Sequence, residues 1–277
     1  MSSNSDATPP NPEIGQGRQL TVDRAIADLQ QQQDLGRRYY AAWWLGKFRI
    51  NEPAAIDVLL EALEDEVDRA PDGGYPLRRN AARALGKLDE RRVVPALIAS
   101  LDCSDYYVRE SAAQALGKLG DRAAAAALVK LLDGGVAAAT RVPGKPHLVQ
   151  PYDSAIEALG MLGATEAIAT IQPFLQHSVE RVSYAAARAL YQLTDEVEYG
   201  DRLIAALRGS NLQSRRAALM DLGAIGYLPA AEPISQTLAE NSLKLISLQG
   251  LLEHHLSDRG ELSDRAVEIM TLMDSLL

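Results

Sequence analysis

The sequence predicts an all-α protein made of stacked two-helix repeats, a right-handed solenoid, and three observations carry that expectation. Composition is the first. Ala is very abundant, and aromatic residues make up only 5% of 277, with two Phe. An Ala and Leu core suits helices, because small side chains let backbones approach, whereas a β-sandwich draws on β-branched and aromatic residues. Internal similarity is the second. Six segments align: RYYAAWWLGKF from Arg38, RRNAARALGKL from Arg78, RESAAQALGKLG from Arg109, YDSAIEALGMLG from Tyr152, SYAAARALYQL from Ser183 and RRAALMDLGAIG from Arg215. Each has Ala three residues on, at 41, 81, 112, 155, 186 and 218, and Leu four residues later. The third observation is a further apolar stretch before each segment, for example Ala54–Leu63, Val93–Leu101, Ala124–Leu132, Ala167–Leu175 and Arg202–Leu207.

Each part of the repeat has a physical role. The i, i+4 spacing places Ala and Leu on one helical face. Gly follows the Leu in five of six segments, where it permits close packing or a left-handed cap; the exception is Tyr191. The aligned Ala residues are 40, 31, 43, 31 and 32 residues apart, a base period near that of helical repeat arrays. The stretch Arg92–Asp121 reads as a HEAT-type unit, with Pro95 in a first turn where its missing N–H is harmless. One helix pair cannot bury its apolar stripe alone, so each repeat must pack on the next. The expected organisation is a disordered tail over residues 1–17, then one HEAT-like domain over 18–277, with a final helix near Ser263–Leu277 that caps the array or meets a partner. Two Gly/Pro-rich insertions interrupt the period, DEVDRAPDGGYP at 65–76 and GGVAAATRVPGKPHLVQP at 134–151. Insertions in a regular array often carry function.

Charge and composition narrow the function. A net charge of −9 argues against a nucleic-acid partner. A single cysteine, Cys103, allows no internal disulfide and fits a reducing cytoplasm. No secretory leader and no apolar run long enough for a membrane span is expected. There is no phosphate loop, HExxH motif, paired-cysteine zinc site or nucleophile elbow, and the four histidines lack metal-ligand spacing. No metal and no resident cofactor are expected, and no catalytic residue is named.

The rare aromatic and the basic side chains collect at the start of the second helix in the first four repeats. Stacked repeats place equivalent positions side by side, so these residues should form one stripe. Tyr75, Arg78, Arg79, Tyr107, Arg109, His147, Tyr152 and Trp44 are the candidates for a binding surface. Aromatic faces stack on a flat conjugated ligand, and guanidinium groups pair with its carboxylates. An Arg at this repeat position also serves to bond within such arrays, which is the structural reading of Arg78, Arg109 and Arg215. One residue of each aromatic pair, such as Tyr106/Tyr107, belongs to the core.

The words RYYAAWWLGKF, DRAPDGGYPLRRNAARALGKL, DYYVRESAAQALG, GKPHLVQPY and GYLPAAEPI…AENSLKLI together resemble the E subunits of the phycocyanin α-subunit phycocyanobilin lyases, from about Leu20 to Leu277. The resemblance implies an enzyme subunit that forms a heterodimer with an F-type subunit. It further implies that phycocyanobilin is bound as substrate and attached through a thioether to a cysteine of the apo-phycocyanin α subunit. The rival expectations are a non-catalytic adaptor for phycobilisome assembly or degradation, a lyase-isomerase, and a phycoerythrobilin lyase subunit.

Overall fold

The fold is seen in a computed structural model that describes residues 20–259 and 263–277, so the expected tail over 1–17 lies outside the described residues. The described residues form helices, short 3-10 turns and loops, with one isolated antiparallel bridge and no strand. Contacts divide the chain into two compact units, one ending at Leu162 and one running from Gly163 to Leu277.

The first unit contains four helix pairs. They are α1 (Val22–Gln30) with α2 (Leu35–Lys47), α3 (Pro53–Ala62) with α4 (Pro76–Leu85), α5 (Val94–Ser100) with α6 (Tyr106–Leu119), and α7 (Ala125–Lys130) with α9 (Tyr152–Met161). A single turn, α8 (Gly135–Ala138), sits within the second insertion. The second helices α2, α4, α6 and α9 pack side by side. In the second unit, α10 (Ile168–Ile171) and flanking 3-10 turns precede α11 (Glu180–Thr194). Then α12 (Val197–Ala206) pairs with α13 (Leu212–Ile225), and α14 (Ala231–Gln236) with α15 (Asn241–Arg259). The last helix, α16 (Asp264–Asp274), packs on α14 and α15.

The aligned Ala and Leu positions form the core. All six Ala and all six Leu are fully buried, and each such Leu contributes roughly 1.5–3 kcal/mol by leaving water. The structure adds a seventh repeat that the alignment missed. Its Ala is replaced by Ser247, and its Leu is the fully buried Leu251.

At four repeats the Gly after the core Leu sets the spacing between successive second helices. A Cβ on Gly46 would stand 2.6 Å from Ala84 Cα, one on Gly86 2.6 Å from Ala115 Cβ, and one on Gly117 3.0 Å from Ala158 Cα. In the second unit a Cβ on Gly223 would meet Ser247 Cα at 2.8 Å. Tyr191 takes this place in α11. Its ring packs edge-on against Tyr227 at 5.1 Å, a buried Arg188–Asp221 ion pair (3.0 Å) fills the junction, and α11 and α13 meet more sparsely than α13 and α15.

The first residue of each aligned segment also has a recurring duty. Arg38 Nε donates to Leu29 O (3.0 Å), Arg78 Nε to Asp65 O (2.7 Å) and a terminal nitrogen of Arg109 to Cys103 O (2.6 Å). Ser183 Oγ donates to Leu175 O (2.9 Å), Arg215 to Gly209 O (2.6 Å) and Lys244 Nζ to Ser235 O (3.1 Å). These carbonyls lie in the last turn of the preceding helix or within three residues of its end, where backbone oxygens lack helical partners, so a cation or hydroxyl from the next helix satisfies them.

Candidate functional site

Both insertions belong to the first unit, and each is held by specific bonds. In the first, Asp65 pairs with Arg38 at 2.7 Å and accepts from the Asp68 amide at 2.8 Å. Asp68 accepts from the Leu77 amide at the start of α4; burial, then the charge of Asp65, pushes its carboxyl above the usual range despite Arg38. The loop closes through Ala70 N–H to Gly74 O (3.0 Å), with Gly73 at φ 89°. Only glycine occupies that region without strain.

Asp105 ties the first insertion to α6. One carboxylate oxygen accepts from the Tyr75 amide at 2.7 Å, and the other accepts from the Tyr107 amide at 2.8 Å as the N-cap. An N-cap carboxylate satisfies a free amide and suits the positive end of the helix. The same side chain thus positions two of the candidate tyrosines. Around the buried Tyr75 ring, the guanidinium carbons of Arg69 and Arg78 lie 3.9 and 4.0 Å from its centre.

The second insertion forms a tight hairpin. An Arg141–Leu148 bridge, Val142 N–H to His147 O (3.1 Å) and Val149 N–H to Thr140 O (3.0 Å) fix it. Arg109 clamps its end, with Nε donating to Gln150 Oε1 (2.9 Å) and a terminal nitrogen to Val149 O (3.0 Å). Lys145 of this hairpin reaches Asp72 of the first insertion at 3.7 Å, so the two insertions approach each other. His147 lies flat on Tyr106 (4.1 Å, 13°) and edge-on to Tyr107 (5.7 Å, 79°). Its Nδ1 lies 2.8 Å from Leu148 O. A carbonyl only accepts, so Nδ1 carries the proton in this bond. Arg79 then places its guanidinium 4.9 Å from the centre of the Tyr107 ring.

The eight candidates therefore separate into groups. Arg79, Tyr107 and His147 come together, half-buried, with Tyr106 beneath them in the core; the split of the Tyr106/Tyr107 pair into one buried and one half-buried ring is the one expected. Tyr75 is near the same edge but buried under two arginines. Arg78 and Arg109 hold loops and helix ends, as the structural reading had it. Arg109 uses all three nitrogens on protein acceptors, and burial lowers its pKa. Tyr152 needs correction as a surface residue. Its side chain is 1% exposed in the core, and burial raises the pKa of its hydroxyl. Trp44 of α2 is half-buried against Phe48, the residue that caps that helix, at 5.0 Å. Two contributors escaped sequence reasoning, Arg69 and Asp105. Asp105 carried a legible signal as an Asp before a helix start, but its bond across 30 residues to Tyr75 had none.

A model of HEAT repeats matches residues 67–141 and 152–223, and one of the PBS lyase HEAT-like repeat matches 37–65. The phycocyanobilin lyase subunit alpha of Nostoc sp. (strain PCC 7120 / SAG 25.82 / UTEX 2576) is 62% identical over 264 residues, covering 94% of this chain and 95% of the relative. The chain belongs to the phycocyanobilin lyase alpha-subunit family. A solved structure of the complex of CpcE and CpcF of phycocyanin lyase from Nostoc sp. PCC7120 matches this family member with a TM-score of 0.88 and 62% identity, covering 96% of this chain and 98% of that one. The bilin biosynthesis protein PecE of the same Nostoc strain is 42% identical over 259 residues, covering 93% of this chain and 96% of the relative. Among the described residues, no helix is long and apolar enough to cross a membrane, and no cluster of His, Cys, Asp and Glu has metal-binding geometry.

Proposed function

We propose that this chain is the E-type subunit of a heterodimeric bilin lyase that joins phycocyanobilin to a cysteine of the apo-phycocyanin α subunit, working with an F-type partner in the cytoplasm. The observation that carries this reading is near-complete coverage at 62% identity of a phycocyanobilin lyase subunit alpha.

The chemistry fits a protein without a resident cofactor. The acceptor thiol adds across the exocyclic double bond of the pigment's A ring: a C–S bond forms, the C=C π bond breaks, and the thiol proton ends on the ring carbon. Nothing is oxidised or reduced overall, so only orientation and proton handling are required. The first unit offers a positioning surface. Tyr107 and His147 present aromatic edges and faces to a conjugated pigment, and the two insertions are braced by Asp105 and Arg109. Holding the pigment against a partner thiol makes the addition effectively intramolecular and limits reaction at other carbons.

The test is reconstitution. The chain, an F-type partner, phycocyanobilin and apo-phycocyanin α subunit are combined, and the acceptor is run on a denaturing gel. Covalent pigment fluorescence that requires both subunits is expected, with the spectrum of a simple phycocyanobilin adduct. Equal labelling without this chain would sink the proposal, and an isomerised spectrum would favour the lyase-isomerase alternative.

A further inference from the structure

We propose that Arg79 is the carboxylate anchor of this surface, holding a propionate of the pigment while Tyr107 supports the adjoining ring; the inference rests on the lyase reading above. The starting point is an idle cation. Other arginines near it are committed: Arg38 to Asp65, Arg78 to Glu66 and nearby carbonyls, Arg92 to Asp57, and Arg109 to four acceptors, while Arg49, Arg91 and Arg141 stand exposed in solvent. Arg79 makes no hydrogen bond or ion pair from its guanidinium among the described residues, and its Nε is shut from solvent with nothing to accept its proton. A chain of net charge −9 has ample carboxylates to supply a partner.

The buried Nε is closed to any ligand, but the terminal nitrogens of the half-buried Arg79 are not, and a guanidinium held at a surface without an acceptor is placed to take one from outside. What lies around Arg79 indicates the chemistry of that missing group. Its guanidinium stands over the Tyr107 ring, and Tyr107 meets the His147 ring edge-on. A planar cation over one aromatic ring, with a second ring against that one, suits an acid whose carboxylate is carried on a flat conjugated body. A fully hydrated phosphate would gain nothing from the rings. Tyr107 and His147 are themselves held rigidly, by Asp105 and by the Tyr106 stack, so the anchor is preorganised.

The inference is tested on the complete heterodimer by titrating it with phycocyanobilin and with its dimethyl ester, which keeps the conjugated system and removes both carboxylates. Wild type is expected to bind the ester about ten- to a hundredfold more weakly than the acid, the range for a lost charge-assisted hydrogen bond. Arg79→Gln should weaken binding of the acid by a similar factor and leave ester affinity unchanged. Arg79→Lys should fall between, since it keeps the charge and loses the planar fork. Unchanged melting of each variant checks that the fold is intact. Equal binding of the acid by wild type and Arg79→Gln, or equal loss for acid and ester, overturns the assignment of Arg79 alone. Failure of wild type to bind phycocyanobilin overturns the lyase reading and this inference with it.

Discussion

Replacing Gly86 by Ala tests how the repeats are spaced, because two opposing effects meet at one methyl group. Gly86 closes α4 with φ −65°, a conformation that Ala adopts freely. Helix propensity alone would therefore make the variant more stable by roughly 1 kcal/mol. Against this, the new Cβ would lie 2.6 Å from Ala115 Cβ and 2.7 Å from Ala115 Cα. Carbon atoms rest about 3.5–4.0 Å apart, so α4 and α6 must separate by about 1 Å. The obstructing atoms include backbone, which cannot swing aside, so the cost sits at the upper end of the ~1–3 kcal/mol of overpacking. The net expectation is a loss of about 1–2 kcal/mol, read from urea unfolding of the purified chain followed by far-ultraviolet circular dichroism. Adding Ala115→Gly should recover part of the loss, a coupling that independent sites would not show. A Gly86→Ala chain as stable as wild type, or more so, would refute the claim that Gly sets the helix spacing.

Three further outcomes follow from the same contacts. Asp105→Ala removes an N-cap and the acceptor of the Tyr75 amide together; a loss of about 1–3 kcal/mol and faster proteolysis within residues 65–76 are expected, and unchanged cleavage would count against its bracing role. Asp221→Ala strips Arg188 of its buried carboxylate, for about 3–5 kcal/mol, whereas an apolar pair replacing both should restore much of it; a loss under 1 kcal/mol for the single change would contradict the buried pair. Asp68→Asn probes the raised carboxyl, whose cause is burial first and Asp65 second. A folded-state pKa above the unfolded one means that ionising Asp68 weakens the fold as pH rises through that window. The Asn variant should thus match or exceed wild-type melting at neutral pH, with the difference shrinking on acidification as Asp68 itself becomes protonated; a growing difference would reverse the sign of the argument.

Much of the fold was legible because the repeat writes its packing directly into the chain. Ala and Leu spacing named core positions that the structure buries completely, and the Gly after Leu announced the close approach of second helices. The seventh repeat was missed because Ser247 replaces the Ala used for alignment. Tyr191 broke the pattern visibly, and the structure supplies its reason in the Tyr227 contact and the Arg188–Asp221 pair. The site was harder. Alignment places Arg78, Arg109 and Tyr152 at one register position, but not the loop carbonyls that occupy the first two or the core that encloses the third. Arg79, one residue later, escapes this duty. Its proximity to Tyr107 depends on the stacking of α4 and α6, and the position of His147 depends on a hairpin whose bonds lie between residues of no recognisable motif.

The most direct test of the account is a structure of the heterodimer with phycocyanobilin bound. Pigment density against Tyr107 and His147, with a propionate reaching the Arg79 guanidinium, is the predicted result. Density seated on another surface, with this edge covered by the partner subunit, would contradict it.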